Sequence, residues 1–203
     1  MEELYERIGQ IFEIRMVNTC KFIGIEYFRD RSSKTIFLNQ HQYLCGKLKM
    51  FNMDDSRKVD SPLANGINPY DLSPSNTEYP YRQAVGALLY LSCKTRPDIA
   101  YSVSLLARFS DCTTDIHIQM VKRLWRYLNG TTNYGILLGG SNENIVAYSD
   151  ADLAGDRMNG RTTTGTLVFY GGPIVWRTKL QKCVIDNTAE AEFIAASICS
   201  KDI

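Results

Sequence analysis

The spacing of apolar residues divides the chain into helical and strand-like stretches. Leu4, Ile8, Ile11 and Phe12 share one face of a helix over residues 2–12, and Tyr43, Leu44, Leu48 and Phe51 do the same over 40–51. Between them, CKFIGIEYFRDRSSKTIFLNQ (20–40) holds two β-rich runs around a polar RDRSSK, which predicts a hairpin. YRQAVGALLYLSC (81–93) is apolar enough for a buried helix, and TRPDIAYSVSLLARF (95–109) predicts another. Its cap is either Thr95 or Arg96 with Pro97 at the first helical position. A third helix, DIHIQMVKRLWRYL (115–128), ends at the stop signal Asn129-Gly130. After Tyr134 the pattern turns to strands at 145–150, 164–170 and 173–185, and a last helix follows over 188–200.

Residues 54–80 are rich in Asp, Asn, Ser and Pro and lack periodicity, which marks a connector. The order is helix, hairpin, helix, linker, three helices, three strands and one helix. It predicts an α+β chain in pieces: α+β, all-helical, then the beginning of a second α+β unit. The final ASICSKDI breaks off in a helical pattern, an expectation that the chain stops inside a domain.

Composition changes this picture little. The 203 residues are 44% hydrophobic and 22% charged, with a net charge of +1, so any nucleic-acid contact must come from local basic patches. The six cysteines have no CxxC spacing and there are two histidines, which argues against zinc and against a disulfide framework. The cysteines are expected to be buried small apolar groups in a reducing, intracellular setting. His41 is expected at a helix start and His117 as a packing residue. No apolar run is long enough to span a membrane, so no membrane partner is expected.

The candidate chemistry lies near the end. In AYSDAD (147–152), Asp150 and Asp152 alternate with Ser149 and Ala151, so both carboxylates face one side of a strand. In NTAEAEFIAA (187–196), Glu190 and Glu192 stand just inside a helix start, where the helix dipole favours negative charge. Asp150 brought beside Glu192 makes a hard oxygen site for Mg²⁺. Two such ions, ~3.5–4 Å apart, activate water and stabilise a leaving oxygen in phosphodiester hydrolysis. Solvated or capping acids occupy the same kinds of position, and spacing alone leaves both readings open.

The block AYSDADLAGDRMNGRTTTGTLVFYGGPIVWRTKLQKCVIDNTAEAEFIAA (147–196) resembles the start of the ribonuclease H domain of copia-type LTR retrotransposon Pol polyproteins. That family shows an SDADWAGD-like strand, a K/R-S/T-x-G second strand, a W-x-S/T-K-x-Q turn and an S-x-AEAEY helix start. The resemblance implies that Asp150 is the first metal-binding aspartate and Glu192 the glutamate, with Asp152 and Glu190 as secondary acids. It implies Mg²⁺ as cofactor.

The upstream chain agrees. FEIRMVNTCKFIGIEYFRD (12–30) and IFLNQHQYLCGKLKMFNM (36–53) resemble the end of the reverse-transcriptase palm, with Phe22, Ile23 and Gly24 at the primer grip. The helical stretch from Tyr81 to Ile136 resembles the thumb region. The implied division is palm over 1–60, thumb over 61–135 and truncated ribonuclease H over 136–203. The implied partners are an RNA–DNA hybrid or template–primer duplex and the remainder of the polyprotein. The implied location is the cytoplasm or virus-like particles.

Lys122, Arg123 and Arg126, interleaved with Trp125 and Tyr127, are candidate phosphate contacts on the third thumb-like helix, or a solvated face around a buried Trp. Lys179 and Lys182 flank the turn before the last helix and carry the same two readings. The departures from the family pattern matter. The chain holds no Y-V-D-D-type aspartate pair for polymerisation, and it ends before two later ribonuclease H aspartates. Leu153 replaces a usual Trp. Asp186 replaces a usually apolar residue, where a buried charge is costly. Three outcomes follow: a polyprotein fragment inactive alone, a non-catalytic template–primer-binding module, or a decayed remnant.

Overall fold

A computed structural model of the chain describes residues 7–8, 10–13, 20–64, 66–71, 73, 78–140 and 144–203. Most of the helix expected over 2–12 lies outside the described residues. The first sheet opens with β1 (Lys21–Phe22), β2 (Ile25–Asp30) and β3 (Thr35–Asn39), antiparallel throughout. The polar stretch Arg31–Lys34 is the turn of the expected hairpin. Helix α1 (His41–Met50) follows, then the connector, then α2 (Tyr81–Lys94). A 3₁₀ turn, Pro97–Ile99, is capped by Arg96 with Pro97 at its first position, which decides between the two cap readings. It runs into α3 (Ala100–Ala107), and α4 (Asp115–Gly130) completes the helical layer.

Periodicity did not single out the next strand. β4 (Gly135–Gly139) pairs antiparallel with β3, Leu38 opposite Ile136, and makes the first sheet four-stranded in the order β1-β2-β3-β4. The second sheet is three-stranded, β5 (Val146–Asp156), β6 (Arg161–Phe169) and β7 (Pro173–Leu180), and α5 (Thr188–Cys199) packs on it. The strand expected over 173–185 thus stops at Leu180. Asp186 falls in the exposed loop beyond it, so its charge carries no burial cost.

The main core joins α1 to α2, α3 and α4. Leu44 and Leu48 meet Leu88, Leu91, Val103, Leu106, Val121, Leu124 and Leu128 in one cluster. Trp125 is 0% exposed and stacks on Phe51 at 5.1 Å. The α4 stripe Ile118, Val121, Leu124, Trp125 and Leu128 has the spacing of a helix with one apolar face. Each such side chain contributes about 1.5–3 kcal/mol on burial. The second core is small: Ala151, Ile185, Ala191 and Ala195, with Leu153 and Ile194 against them.

Candidate functional site

The tip of the β1–β2 ribbon is the first candidate. Phe22 pairs with Ile25 across a two-residue turn, with Ile23 at φ 47° and Gly24 at φ 71°. Positive φ at both central residues is what the right-handed strand twist favours. A β-branched Ile in that region costs about 1–2 kcal/mol. The surroundings hold it there. The Tyr90 hydroxyl of α2 donates to the Ile23 carbonyl, and a Cβ on Gly24 would lie 3.2 Å from that hydroxyl. Tyr43 meets Tyr90 edge-on at 4.9 Å, and the Lys47 ammonium lies 5.4 Å from the Tyr43 ring centre. The tip presents Phe22 and Ile23 to solvent, 68% and 66% exposed. Sequence reasoning found the tip and missed Tyr90, whose signal is a hydroxyl on an otherwise apolar helix.

The basic residues of α4 have partners within the chain. Arg126 donates to the Arg57 carbonyl at 2.7 Å, and Arg123 to the Ser61 hydroxyl at 2.9 Å. Asn129 reaches the Asp54 and Ser56 carbonyls, His117 the Pro69 carbonyl, and Thr114 the Asp71 carbonyl. The connector therefore runs antiparallel along α4, fastened at successive turns. Lys122 is exposed, its ammonium 5.5 Å from the Tyr79 ring centre. Lys179 on β7 and Lys182 just after it are both exposed.

The acids of β5 take their geometry from strand register. Asp150 pairs with Gly165 and Asp152 with Thr163 on β6. Ala151 between them packs on Ala191 and Ala195 of α5, so Asp150 and Asp152 face the opposite side. That side meets the helical layer. The Trp176 indole donates to the Ser92 carbonyl at 2.6 Å, Ser104 to the Thr178 carbonyl at 3.3 Å, and Arg108 to Thr163 at 3.1 Å. A cleft of about 250 Å³ opens there, lined by Asp98, Tyr101, Tyr148, Asp150, Trp176 and Arg177 among others. Burial raises the pKa of Tyr101, and the neighbouring Asp152 carboxylate adds to it. After Asp152 the ladder is interrupted by a bulge, where a Cβ on Gly155 would run into the Asp152 carboxylate.

Glu190 and Glu192 belong to the other layer. Asn187 caps α5 by accepting from the Glu190 backbone N–H at 2.7 Å. Glu190 is exposed and Glu192 half-buried. The structure brings Asp150 and Asp152 to one face and leaves Glu192 on the helix covering the other. Among the described residues no three His, Cys, Asp or Glu side chains converge as a metal set. Among the described residues no helix is long and apolar enough to cross a membrane.

Comparison with known proteins gives this geometry a context. No protein-family profile matches the chain, and no solved structure matches it. The retrovirus-related Pol polyprotein from transposon TNT 1-94 of Nicotiana tabacum is 39% identical over 192 residues, 90% of this chain and 14% of that protein. The retrovirus-related Pol polyprotein from transposon RE1 of Arabidopsis thaliana is 38% identical over 186 residues, 90% of this chain and 12% of that protein. The chain thus spans about one-seventh or less of the length of these relatives, 14% and 12%. An uncharacterized mitochondrial protein of Arabidopsis thaliana is 31% identical over 204 residues, and there the match covers 83% of that protein. The quoted motifs run through a chain that aligns over nine-tenths of its length with these polyproteins. The chain belongs to the retrovirus-related Pol polyproteins of copia-type retrotransposons, of which it is a fragment.

Proposed function

We propose that this chain is the part of a retrotransposon Pol polyprotein that links the end of the reverse transcriptase to the start of ribonuclease H. Its own task there is to hold the template–primer duplex. The whole polyprotein copies RNA into DNA and cleaves RNA in RNA–DNA hybrids with Mg²⁺, in the cytoplasm or in virus-like particles. The observation that carries the reading is the β1–β2 tip: two exposed apolar residues on a strained turn, braced from behind by Tyr90. Strained, over-determined turns are typical of ligand clamps. Residues 1–60, 61–135 and 136–203 are proposed as palm end, thumb and first part of ribonuclease H, with β4 at the head of the last stretch returning to pair with β3 of the first sheet. The chain carries no polymerase aspartate pair, and no hydrolytic step is assigned to it alone.

The test is binding of a labelled RNA–DNA hybrid at two salt concentrations. Weak binding that falls as salt rises is expected, because phosphate contacts release counterions. Phe22→Ala with Ile23→Ala should weaken it further at both salts. Binding unaffected by the tip substitutions would overturn the assignment of the tip. No binding at low salt would overturn the duplex-holding role.

A further inference from the structure

We propose that Cys45 is a site of thiol–disulfide exchange with small-molecule disulfides, with His41 as its base. The proposal rests on no part of the duplex reading. His41 is the first residue of α1, and Cys45 lies one turn further on the same face. The Cys45 sulfur is 3.6 Å from His41 Nε2, and His41 Nδ1 is 3.3 Å from the Thr132 carbonyl oxygen. A carbonyl only accepts, so Nδ1 carries the ring proton and Nε2 turns its lone pair to the thiol. Nucleophile, base and orienting group are thus in line.

None of the other cysteines has this arrangement. The chain has two histidines. The second, His117, is fully buried, with Nδ1 facing Thr114 and Nε2 bonded to the Pro69 carbonyl. Contrary to the expectation of buried groups, Cys20, Cys93 and Cys183 are exposed, Cys45 and Cys112 are half-buried, and Cys199 alone is buried. Access by itself favours the three exposed thiols, and the imidazole favours Cys45, which is half-buried.

The step balances. His41 Nε2 takes the thiol proton as the sulfur attacks one atom of the incoming disulfide. The S–S bond breaks, and the departing sulfur leaves with the electron pair and receives the proton from His41. One disulfide is consumed, and one mixed disulfide and one free thiol are formed. The adduct sits beside the turn between α4 and β4 that carries Thr132.

The experiment treats the intact, reduced chain with oxidised glutathione near neutral pH. Mixed disulfide at each of the six cysteines is followed over time by peptide mass mapping, with the urea-unfolded chain as reference. Relative to that reference, Cys45 should react faster than Cys20, Cys93 and Cys183. His41→Gln keeps an N–H for Thr132 and offers no base. It should slow Cys45 on the order of tenfold or more and leave the other rates alone. His41→Ala should do the same, and added imidazole should restore part of the Cys45 rate without accelerating the other thiols equally. Cys45 reacting no faster than the exposed thiols, or keeping its rate in a folded His41→Gln chain, would overturn the proposal. Were His41→Ala to unfold the chain, all six rates would approach the urea reference, and His41→Gln then decides.

Discussion

His117 Nε2 donates to the Pro69 carbonyl at 2.7 Å, while Nδ1 accepts from the Thr114 backbone N–H at 3.0 Å. One neutral ring closes the start of α4 and pins the connector to it. The ring is fully buried, stacked on Phe109 at 4.1 Å with Tyr81 edge-on. Burial lowers its pKa below the ordinary 6.5, against the opposing pull of the Pro69 carbonyl. Protonation would also leave the Thr114 N–H facing a donor. The folded pKa lies below the unfolded one, so this stabilisation is whole above about 6.5 and is lost as pH falls through that value towards the folded pKa. The urea midpoint should therefore drop between about pH 7.5 and about pH 5. His117→Asn should be less stable at the upper pH and show a flatter dependence over that window. A wild-type midpoint constant across it would refute the latch.

The connector strap gives a prediction that separates two roles for the same cations. Arg126 and Arg123 each make one partly exposed hydrogen bond to the connector, worth about 0.5–1.5 kcal/mol. Arg126→Ala and Arg123→Ala should each lower stability by about that amount and hasten proteolysis in residues 54–71. Lys122→Ala should change stability little, because its ammonium is exposed. If hybrid binding falls in the arginine variants while stability and proteolysis stay unchanged, the arginines serve phosphates and the strap is incidental.

Much of this architecture was legible because it is periodic. The α4 stripe and the polar Arg31–Lys34 turn follow directly from spacing. β4 did not, because GILLG is five residues without alternation, and its partner β3 is remote in sequence. The same limit governs the site. Alternation put Asp150 and Asp152 on one side of β5, and the register agrees. Period two says nothing about which layer covers which side, so the separation of Asp150 from α5 needed tertiary packing. The partners of Arg123 and Arg126 lie in a connector without pattern, and half of them are backbone carbonyls, which sequence does not display.

At the hairpin tip, strain and brace can be separated. Ile23→Asn places a residue tolerant of positive φ where Ile is costly, and should stabilise the chain by about 1 kcal/mol. Gly24→Ala should destabilise it by about 1 kcal/mol or more, since the turn needs φ 71° there and Tyr90 crowds the added methyl. Tyr90→Phe removes the donor to Ile23 and should cost about 1 kcal/mol. Urea unfolding of the three variants checks the signs. If Ile23→Asn is the least stable of the three, the tip is not strained as described.

The last prediction concerns hydrolysis. Two-metal cleavage needs acids that hold both ions against the attacking and leaving oxygens. Here Asp150 and Asp152 face the helical layer, and α5 with Glu192 covers the opposite face through Ala191 and Ala195. A one-residue shift of β5 is the register change that would carry Asp150 to the α5 face. A shift by one turns Ala151 out of its contact with α5 and puts a carboxylate into that core. The second core is built largely from alanines, so it has little burial energy to oppose a larger rearrangement once further chain is present. Two expectations follow. The chain alone should cleave a labelled RNA–DNA hybrid in Mg²⁺ no more than at trace level, and Asp150→Asn should not change that level. A longer chain that includes the following residues of the polyprotein should cleave, and there Asp150→Asn should abolish activity. Cleavage by this chain that disappears in Asp150→Asn would mean that the acids reach one another in solution, and that the layer order described here is not the working one.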